Sequence, residues 1–417
     1  MADRPAARGH REPDRDRYRV GLVCGHFDPA RDGVADYTRQ LSRQLRSRGV
    51  RGLICTAHTY SGGDVVGVTD RWDAAGVVRA ARAMGRLRLD LIHVQFAPSA
   101  FGFHRAVGLL PGLLGSGTPL LATLHEYGVW TAEGPAGRLR EAGWSAVERR
   151  GVLDRETLLL TLRASQLLFT APEHEQVLRA RFPGRTIPAT YSPIGANIPL
   201  AAIEDRAVAA VRAELGLPGD ARLAVFFGFL HQEKGLERLI EAVAQVRRTH
   251  PRLELVLAGG EQSHSVVGGA ATALRRSLEQ VAERHGVEHA VRFTGYLPER
   301  AISALLQAAD VAVFPFNAGV TSKSSSLLAA LSHGVPTIAT APTGAVRAPS
   351  EIDGVLRVPP RDTAALEQAL HDVLSDSDLA ARLVTAGRAN AAGRTWQAVA
   401  AIHEEVYAEV LGRLPRR

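Results

Sequence analysis

The sequence of 417 residues is poor in cysteine, in lysine and in long apolar runs, and each shortage excludes a class of protein. Its two cysteines, Cys24 and Cys55, are too few for a disulfide-rich fold or a cysteine-rich metal site. We therefore expect two buried free thiols in a reducing cytosol. No run of about 18 uncharged apolar residues occurs, so we expect no membrane-spanning helix. We expect residues 1–17 to be a disordered tail rather than a signal peptide, and the protein to be cytoplasmic.

The positive charge of the chain comes almost entirely from arginine. Among 50 basic residues only Lys234 and Lys323 are lysine, so the other 48 are arginine, and the formal net charge is +7. The arginines alternate with acids along predicted helices, as on solvated helix faces, and aromatic residues do not interleave with them. We therefore expect no nucleic acid partner. Either chance or a need for a compact ammonium that arginine cannot supply explains the two lysines, and we favour the second.

Short β-rich runs alternate with amphipathic segments of helix length along nearly the whole chain. Strands are predicted at YRVGLVC, GLICTA, DLIHVQF, PLLATLH and QLLFTAP, and again at LAVFFGF, LELVLAGG, VRFTGY, VAVFPF, VPTIAT and GVLRVPP. This alternation predicts an α/β fold with parallel sheets flanked by helices. The break at SPIGANIPLAAIED predicts a linker. We expect two doubly wound, Rossmann-like domains over 18–200 and 201–395, with a final helix within 396–417 returning to the N-terminal domain.

Two loops that follow predicted strands are candidate anion sites, because ligands of such sheets bind beyond the carboxyl ends of the strands. In GHFDPARDGVADYTRQL, Gly33 opens a helix whose free N–H groups could meet an anion or a sugar oxygen, although an ordinary βα turn fits equally well. In GFLHQEKGLERLIEAV, Lys234 ends a loop just before a helix, where its ammonium can reach a phosphate. At about 4 Å and an effective dielectric near 20, that contact is worth roughly 4 kcal/mol before desolvation. A solvated charge is the plainer interpretation.

The segment FNAGVTSKSSSLLAALSHGVPTIAT (316–340) is the strongest candidate. A predicted strand runs into a loop rich in hydroxyl groups, and a helix begins near its end. The polar side chains of this loop are Thr321, Ser322, Lys323, Ser324, Ser325 and Ser326. They surround free backbone N–H groups at the positive end of a helix dipole. Single Ser or Thr residues are also ordinary helix N-caps, but this density favours a diphosphate site.

These motifs together resemble a known family. The spacing K-G-L-x-x-L-I-x-A, with LVLAGG, VRFTGYLP, AADVAVFPF and LLAALSHGVPTIAT, resembles the retaining, GT-B-fold glycosyltransferases of glycosyltransferase family 4. GVADYTRQL, IHVQF and TLHEY in the first half are similar to the same family, and the resemblance covers about residues 18–412. It implies a nucleotide-sugar donor held by the second domain, a small-molecule acceptor held by the first, no separate cofactor and no metal.

The resemblance also implies roles for individual residues. His125 would lie beside the donor sugar near the anomeric carbon and Lys234 would hold the diphosphate, so both are expected to be catalytic. Gly33 would approach the donor, and the loop from Gly295 to Leu297 would face the base through its backbone. Gln95 of IHVQF and the hydroxyl-rich loop complete the expected substrate-binding set. Taken alone, His125 is more commonly explained as a histidine at a strand end that forms hydrogen bonds within the fold and binds no substrate.

The chain departs from the family pattern at three positions. Phe229 stands where the family usually has an arginine, and Thr321 and Ala329 stand where it usually has two glutamates that bind hydroxyl groups of the donor. The lost acids leave the identity of the sugar and the nucleotide open. We expect Lys323 to supply, from the opposite loop, the positive charge that is missing at Phe229.

Three functions are therefore compatible with the sequence. We favour a retaining glycosyltransferase for a small acceptor, and the arginine-rich composition suggests an actinomycete, in which such enzymes often modify secondary metabolites. A second interpretation is a peripheral membrane glycosyltransferase with a lipid-linked acceptor. It is suggested by the segments FGFHRAVGLLPGLLGSGTPLL and GRLREAGWSAVERR, whose composition would suit binding to a bilayer surface. A non-catalytic nucleotide-sugar binding protein is the third, suggested by the missing glutamates.

Overall fold

The computed structural model describes residues 17–29, 32–57, 62–115, 117–130, 134–260, 269–321, 323–342 and 354–412. The tail predicted over 1–17 lies outside these residues except for Arg17, and Ser322 also lies outside them. The described residues form two parallel β-sheets with helices packed around them, as the alternation of the sequence predicts. The fold class expected from the sequence is thereby confirmed.

The N-terminal sheet has strands in the order β3-β2-β1-β4-β5-β6-β7 within the described residues. These strands are β1 (Tyr18–Val23), β2 (Val50–Ala57), β3 (Val65–Thr69), β4 (Leu91–Phe96), β5 (Leu120–Leu124), β6 (Gln166–Phe169) and β7 (Ala189–Tyr191). The helices of this half are α1 (Gly33–Arg46), α2 (Ala74–Gly85), α3 (Leu110–Leu113), α4 (Gly134–Arg149), α5 (Leu160–Arg163) and α6 (Pro172–Arg181). The edge strands β3 and β7 were not expected from the sequence, because a glycine interrupts one and the other has only three residues.

The C-terminal sheet has the order β10-β9-β8-β11-β12-β13, again all parallel. These strands are β8 (Arg222–Phe227), β9 (Leu253–Ala258), β10 (Val291–Gly295), β11 (Val311–Phe314), β12 (Thr337–Thr340) and β13 (Val355–Val358). The helices are α7 (Asp205–Glu214), α8 (Leu236–Val246), α9 (Gly269–Arg284), α10 (Glu299–Ala308), α11 (Ser325–His333), α12 (Thr363–Ser375), α13 (Ser377–Ala392) and α14 (Trp396–Gly412). Asp376 lies at the turn between α12 and α13 and caps the start of α13.

Burial explains why these runs form central strands. Every residue of β4 and β9 is buried, and so is every residue of β5, so these strands pack on both faces as parallel strands do. Cys24 and Cys55 lie in this interior as free thiols, as predicted. The carboxyl ends of β1, β4 and β5 in one half and of β8 and β11 in the other point into the space between the two sheets, which places their loops at one cleft.

Helix α14 crosses from the C-terminal half and packs on the N-terminal half. The indole of Trp396 donates a hydrogen bond to the carbonyl oxygen of Ala196 at 2.6 Å. Farther along the helix, the Tyr407 hydroxyl is 2.7 Å from Nδ1 of His93 in β4, and both residues are fully buried. The last helix therefore ties the two halves together.

Candidate active site

The cleft between the two sheets contains two adjoining cavities, of about 480 and about 440 Å³. We call the larger the first cavity; most of its lining comes from the N-terminal half and the linker, including the loops after β1, β4 and β5, and the rest from the C-terminal half. The second cavity is lined mainly by loops of the C-terminal sheet. Seven residues line both cavities: Gly33, Asp36, Asn197, Phe229, Lys234, Lys323 and Ser325. Both lysines of the chain therefore lie where the two cavities meet.

Lys234 is held at this junction by a tight turn. It ends a short 3₁₀ turn (Gln232–Lys234), and Gly235 follows with φ +64°, in the left-handed region that favours glycine. A Cβ at Gly235 would lie 2.2 Å from the carbonyl oxygen of Pro315, so the turn presses against the chain just after β11. The Lys234 ammonium lies 3.7 Å from the centre of the Phe316 ring. No carboxylate pairs with it in the described part of the chain, and burial lowers its pKa to about 8.

Lys323 reaches across the cleft from the C-terminal half to the N-terminal half. Its ammonium donates to the carbonyl oxygen of His125 at 3.3 Å and lies 3.4 Å from Nε2 of His174. The Nδ1–H of His174 donates to the carbonyl oxygen of Leu124 at 3.0 Å, so Nε2 is free to accept. Burial lowers the pKa of Lys323, and the carboxylate of Glu126 opposes that shift. The lysine is thus a charged contact between the two halves as well as a wall of both cavities.

His125 follows β5 and lines the first cavity beside Tyr37, whose ring centre is 4.5 Å away. Its Nε2 lies 3.0 Å from Oε1 of Gln95, so this nitrogen carries the proton and donates. Burial, with the nearby charge of Lys323, lowers the pKa of His125 to about 3. The imidazole is therefore neutral, with an unprotonated Nδ1 that can accept a hydrogen bond but cannot act as a general acid near pH 7. Gln95 is fully buried beneath it and supports the ring rather than lining either cavity.

The hydroxyl-rich loop forms one wall of the second cavity. Thr321, Ser324, Ser325 and Ser326 all line it, and Ser325 also lines the first cavity. Ser324 is the N-cap of α11, since its hydroxyl accepts from the N–H of Leu327 at 3.3 Å. The structure thus gives one serine the ordinary capping role, while Ser325 and Ser326 present the first turn of α11 to the cavity.

The remaining predicted residues are not all at the cleft. Gly33 and Phe229 line both cavities, and a Cβ at Gly33 would meet nothing within 4 Å, so the space above this helix start is open. Leu297 lines the second cavity together with its neighbour Tyr296. Gly295 lines neither cavity, and its carbonyl oxygen is 3.1 Å from the N–H of Gly259.

Sequence reasoning missed several residues of this cleft. Gly228 and Gly259 form a floor of the second cavity, and a Cβ at Gly259 would lie 1.9 Å from the carbonyl oxygen of Gly228. The paired glycines of LVLAGG at the end of a strand were a sign of such close approach. Asn197 in the linker lines both cavities, and its buried Oδ1 has no hydrogen-bond partner in the described residues. Glu126, next to His125, lines the first cavity.

Neither a metal cluster nor a membrane span is present among the described residues. No group of three or more His, Cys, Asp or Glu side chains is placed to hold a metal ion within these residues. Over the same ranges, no helix combines the length and the apolar character needed to cross a bilayer. Positive charge at the cleft comes from Lys234, Lys323 and helix starts, and from Arg39, which lines the second cavity and pairs with Asp36 and Glu299.

Solved structures of glycosyltransferases share this two-sheet arrangement. The chain superposes on sucrose-phosphate synthase from Thermosynechococcus elongatus with a TM-score of 0.70 and 23% identity, covering 95% of this chain and all of that one. It also superposes on Anabaena HepE in complex with UDP and glucose, with a TM-score of 0.69 and 18% identity over 95% of this chain and all of that one. The protein has the GT-B fold.

Sequence comparison identifies the C-terminal half more closely. Residues 208–390 match the family model described as Glycosyl transferases group 1. A D-inositol 3-phosphate glycosyltransferase of Corynebacterium jeikeium is 26% identical over 94% of this chain and 97% of its own length. A glycogen synthase of Mycobacterium tuberculosis is 32% identical over 45% of this chain and 42% of its own length. The protein is a glycosyltransferase whose C-terminal half is a group 1 domain.

Proposed function

We propose that the protein transfers a sugar from a nucleoside-diphosphate sugar in the second cavity to a small-molecule acceptor in the first, with retention of anomeric configuration. The observation that carries this proposal is the position of Lys234 and Lys323, which line both cavities at their junction. Neither ammonium pairs with a carboxylate in the described residues, so both are available to a diphosphate. The reacting anomeric carbon then lies between donor and acceptor space.

The helix start beside the lysines suits the same ligand. The N–H groups at the first turn of α11, behind Ser325, carry the positive end of a helix dipole into the cavity. As the C1–O bond of the donor breaks, its electron pair stays on the diphosphate, and charge grows beside the two ammonium groups. Such groups stabilise the transition state most when charge develops there. The acceptor hydroxyl forms the new bond to C1, and its proton passes to an oxygen of the leaving diphosphate.

The neutral imidazole of His125 takes a positioning role in this scheme. Its unprotonated Nδ1 can accept a hydrogen bond from a sugar hydroxyl, and Gln95 fixes the ring from below. The first cavity, at about 480 Å³, has the size of a small-molecule site. HepE, in whose structure UDP and glucose are bound, has the same fold, which supports a nucleotide-sugar donor here.

Nucleotide binding tests the donor site directly. We expect UDP, GDP, ADP or dTDP to raise the melting temperature, and the best diphosphate to bind at least tenfold more tightly than its nucleoside in calorimetry. Lys234→Ala should remove most of that difference and leave nucleoside binding unchanged. Equal affinity for nucleoside and diphosphate would contradict the proposed phosphate site.

Slow hydrolysis of the donor tests the stereochemistry without a known acceptor. With an α-linked nucleotide sugar, water replaces the acceptor, and proton NMR identifies the first anomer before mutarotation. Retention predicts the α-anomer, and a β-anomer as first product would contradict it.

A further inference from the structure

The carboxylate of Glu126 lies in the wall of the first cavity and has no partner among the described residues. It follows His125 on the loop after β5 and is half-buried. No hydrogen bond or ion pair within the described residues engages its carboxylate. Burial raises the pKa of this carboxyl group, Lys323 opposes the shift, and Asp32 and Glu156 add to it. A partly desolvated, unpaired carboxylate in a substrate cavity calls for a ligand that donates to it.

The loop that carries Glu126 is held from behind by a buried charge network. Glu156 accepts the N–H of Gly128 at 3.0 Å, and the Tyr127 hydroxyl donates to Asp154. Arg181 pairs with both of these acids. These bonds therefore fix the backbone on the C-terminal side of Glu126, as a specificity-determining site requires.

The charges around the first cavity favour a cation over an anion on the acceptor side. Its acids are Asp32, Asp36, Glu126 and Glu233. Asp32 caps α1, Asp36 pairs with Arg39 and Glu233 is exposed, so Glu126 is the half-buried acid that remains for a ligand. The chain has 48 arginines, yet none of those in the described residues lines this cavity. A phosphate on the acceptor would meet like charge at Glu126 and would compete with the donor for the two lysines.

An exposed aromatic ring lies at the same cavity. Phe103 is 66% exposed and has φ +61°, a conformation that is strained for a residue with a side chain. The face of an aromatic ring attracts a ligand cation. Phe103 and Glu126 thus favour the same ligand charge from two different loops.

We propose that the acceptor is an amine-bearing sugar or cyclic polyol whose ammonium group is bound by Glu126. This inference rests on the proposed function and adds the charge of the acceptor to it. The curated relative from Corynebacterium jeikeium is named for a phosphorylated acceptor, D-inositol 3-phosphate. The acceptor of the present protein therefore differs from it in the sign of its charge.

Matched acceptors test the proposal with the unmodified protein. The acceptors form three matched pairs: glucosamine and an amino-inositol, glucose and inositol, and glucose 6-phosphate and inositol 1-phosphate. Each is offered with hexose donors of the nucleoside diphosphate that binds best, and products are followed by mass spectrometry. We expect kcat/KM for at least one amine to exceed that of its hydroxyl partner tenfold or more. Preferred transfer to neutral or phosphorylated members, or no transfer to either amine, would overturn the proposal.

Charge-removing variants test the residue itself. In Glu126→Gln we expect the preference for the amine over its hydroxyl partner to fall about tenfold. The affinity of this variant for UDP should stay within about twofold of the parent protein, and that measurement shows whether the variant is folded. Glu283→Gln removes an equal charge from the exposed surface of α9 and is expected to change neither quantity. A preference that survives in Glu126→Gln would overturn the role of this residue. A protein that neither binds a nucleoside diphosphate nor hydrolyses the nucleotide sugar would instead contradict the proposed function.

Discussion

The free energy stored at Lys234 makes a quantitative prediction about donor binding. Burial lowers the pKa of Lys234 from its ordinary 10.5 to about 8. At 1.36 kcal/mol per pKa unit, keeping this ammonium charged below pH 8 costs about 3 kcal/mol of folding free energy. That cost is complete below pH 8 and disappears as pH rises towards 10.5, where the lysine is neutral in both states. A diphosphate placed beside the ammonium would offset it.

Replacing Lys234 by methionine is the informative change, because methionine keeps an unbranched side chain to pack on Phe316. We expect Lys234→Met to raise the melting temperature of the unliganded protein at pH 7, since it removes a partly buried charge that pairs with no carboxylate among the described residues. We also expect it to lower kcat by about 100-fold to 1000-fold, the usual effect of deleting one group that stabilises developing negative charge. Stability and activity should therefore change in opposite directions.

Calorimetric titration with UDP between pH 7 and pH 9 separates this role from general electrostatics. Affinity should fall as pH rises through about 8, because binding selects the protonated lysine, and the loss should approach tenfold per pH unit above that value. Lys234→Met should bind weakly with little pH dependence. The control Arg248→Ala removes a positive charge from the exposed surface of the same half and should behave like the parent protein.

Two results would refute the reasoning about Lys234. The first is a Lys234→Met or Lys234→Ala variant that keeps more than about a tenth of the parent kcat, a change below 1.4 kcal/mol in activation free energy. The second is UDP affinity that stays constant between pH 7 and pH 9 in the parent protein. In either case the ammonium would be a structural group packed on Phe316.

Lys323→Gln is expected to weaken UDP binding about tenfold, because it removes the second ammonium at the cavity junction; unchanged calorimetric affinity would leave Lys323 as an interdomain contact only. The unfolding free energy should fall as pH drops from 6.5 towards about 3, because the fold lowers the pKa values of His125 and His174. Denaturation at pH 5 should therefore show a loss of about 2 kcal/mol per histidine relative to pH 7. An unfolding free energy that does not change between these pH values would contradict this. Sugar transfer should survive excess EDTA, and restoration of a lost activity by Mg²⁺ or Mn²⁺ would contradict a lysine-based site. A deoxyhexose or thymidine diphosphate donor should bind nearly as tightly as a fully hydroxylated ribonucleotide donor, because Thr321 and Ala329 cannot bind hydroxyl groups as two acids would. A strong preference for a fully hydroxylated hexose on a ribonucleotide would contradict this and direct mutagenesis to the serines of the same loop.

The sequence by itself determined the alternation of strands and helices and the position of the two lysines at the ends of βα loops. Apolar runs of strand length specify buried parallel strands through local patterning, and the carboxyl ends of parallel strands lie on one side of a sheet. This pattern assigns Lys234 and Lys323 to a cleft at the carboxyl ends of the strands, whereas the place of His125 beside them came from the family resemblance. The short edge strands β3 and β7 could not be assigned, because so few residues carry too little pattern of their own.

Only the tertiary structure decided which groups meet across the cleft. Lys323 contacts the carbonyl oxygen of His125 from 198 positions away, and Tyr407 meets His93 across 314 positions. Such contacts depend on how the two halves and α14 pack, and no local periodicity encodes that packing. Gln95 shows the same limit, because its strand was predicted correctly but its complete burial beneath His125 was not. The sequence did not single out Glu126, because it is one of 43 acidic residues in the chain. Only the structure shows that it lies in the cavity wall with no partner among the described residues.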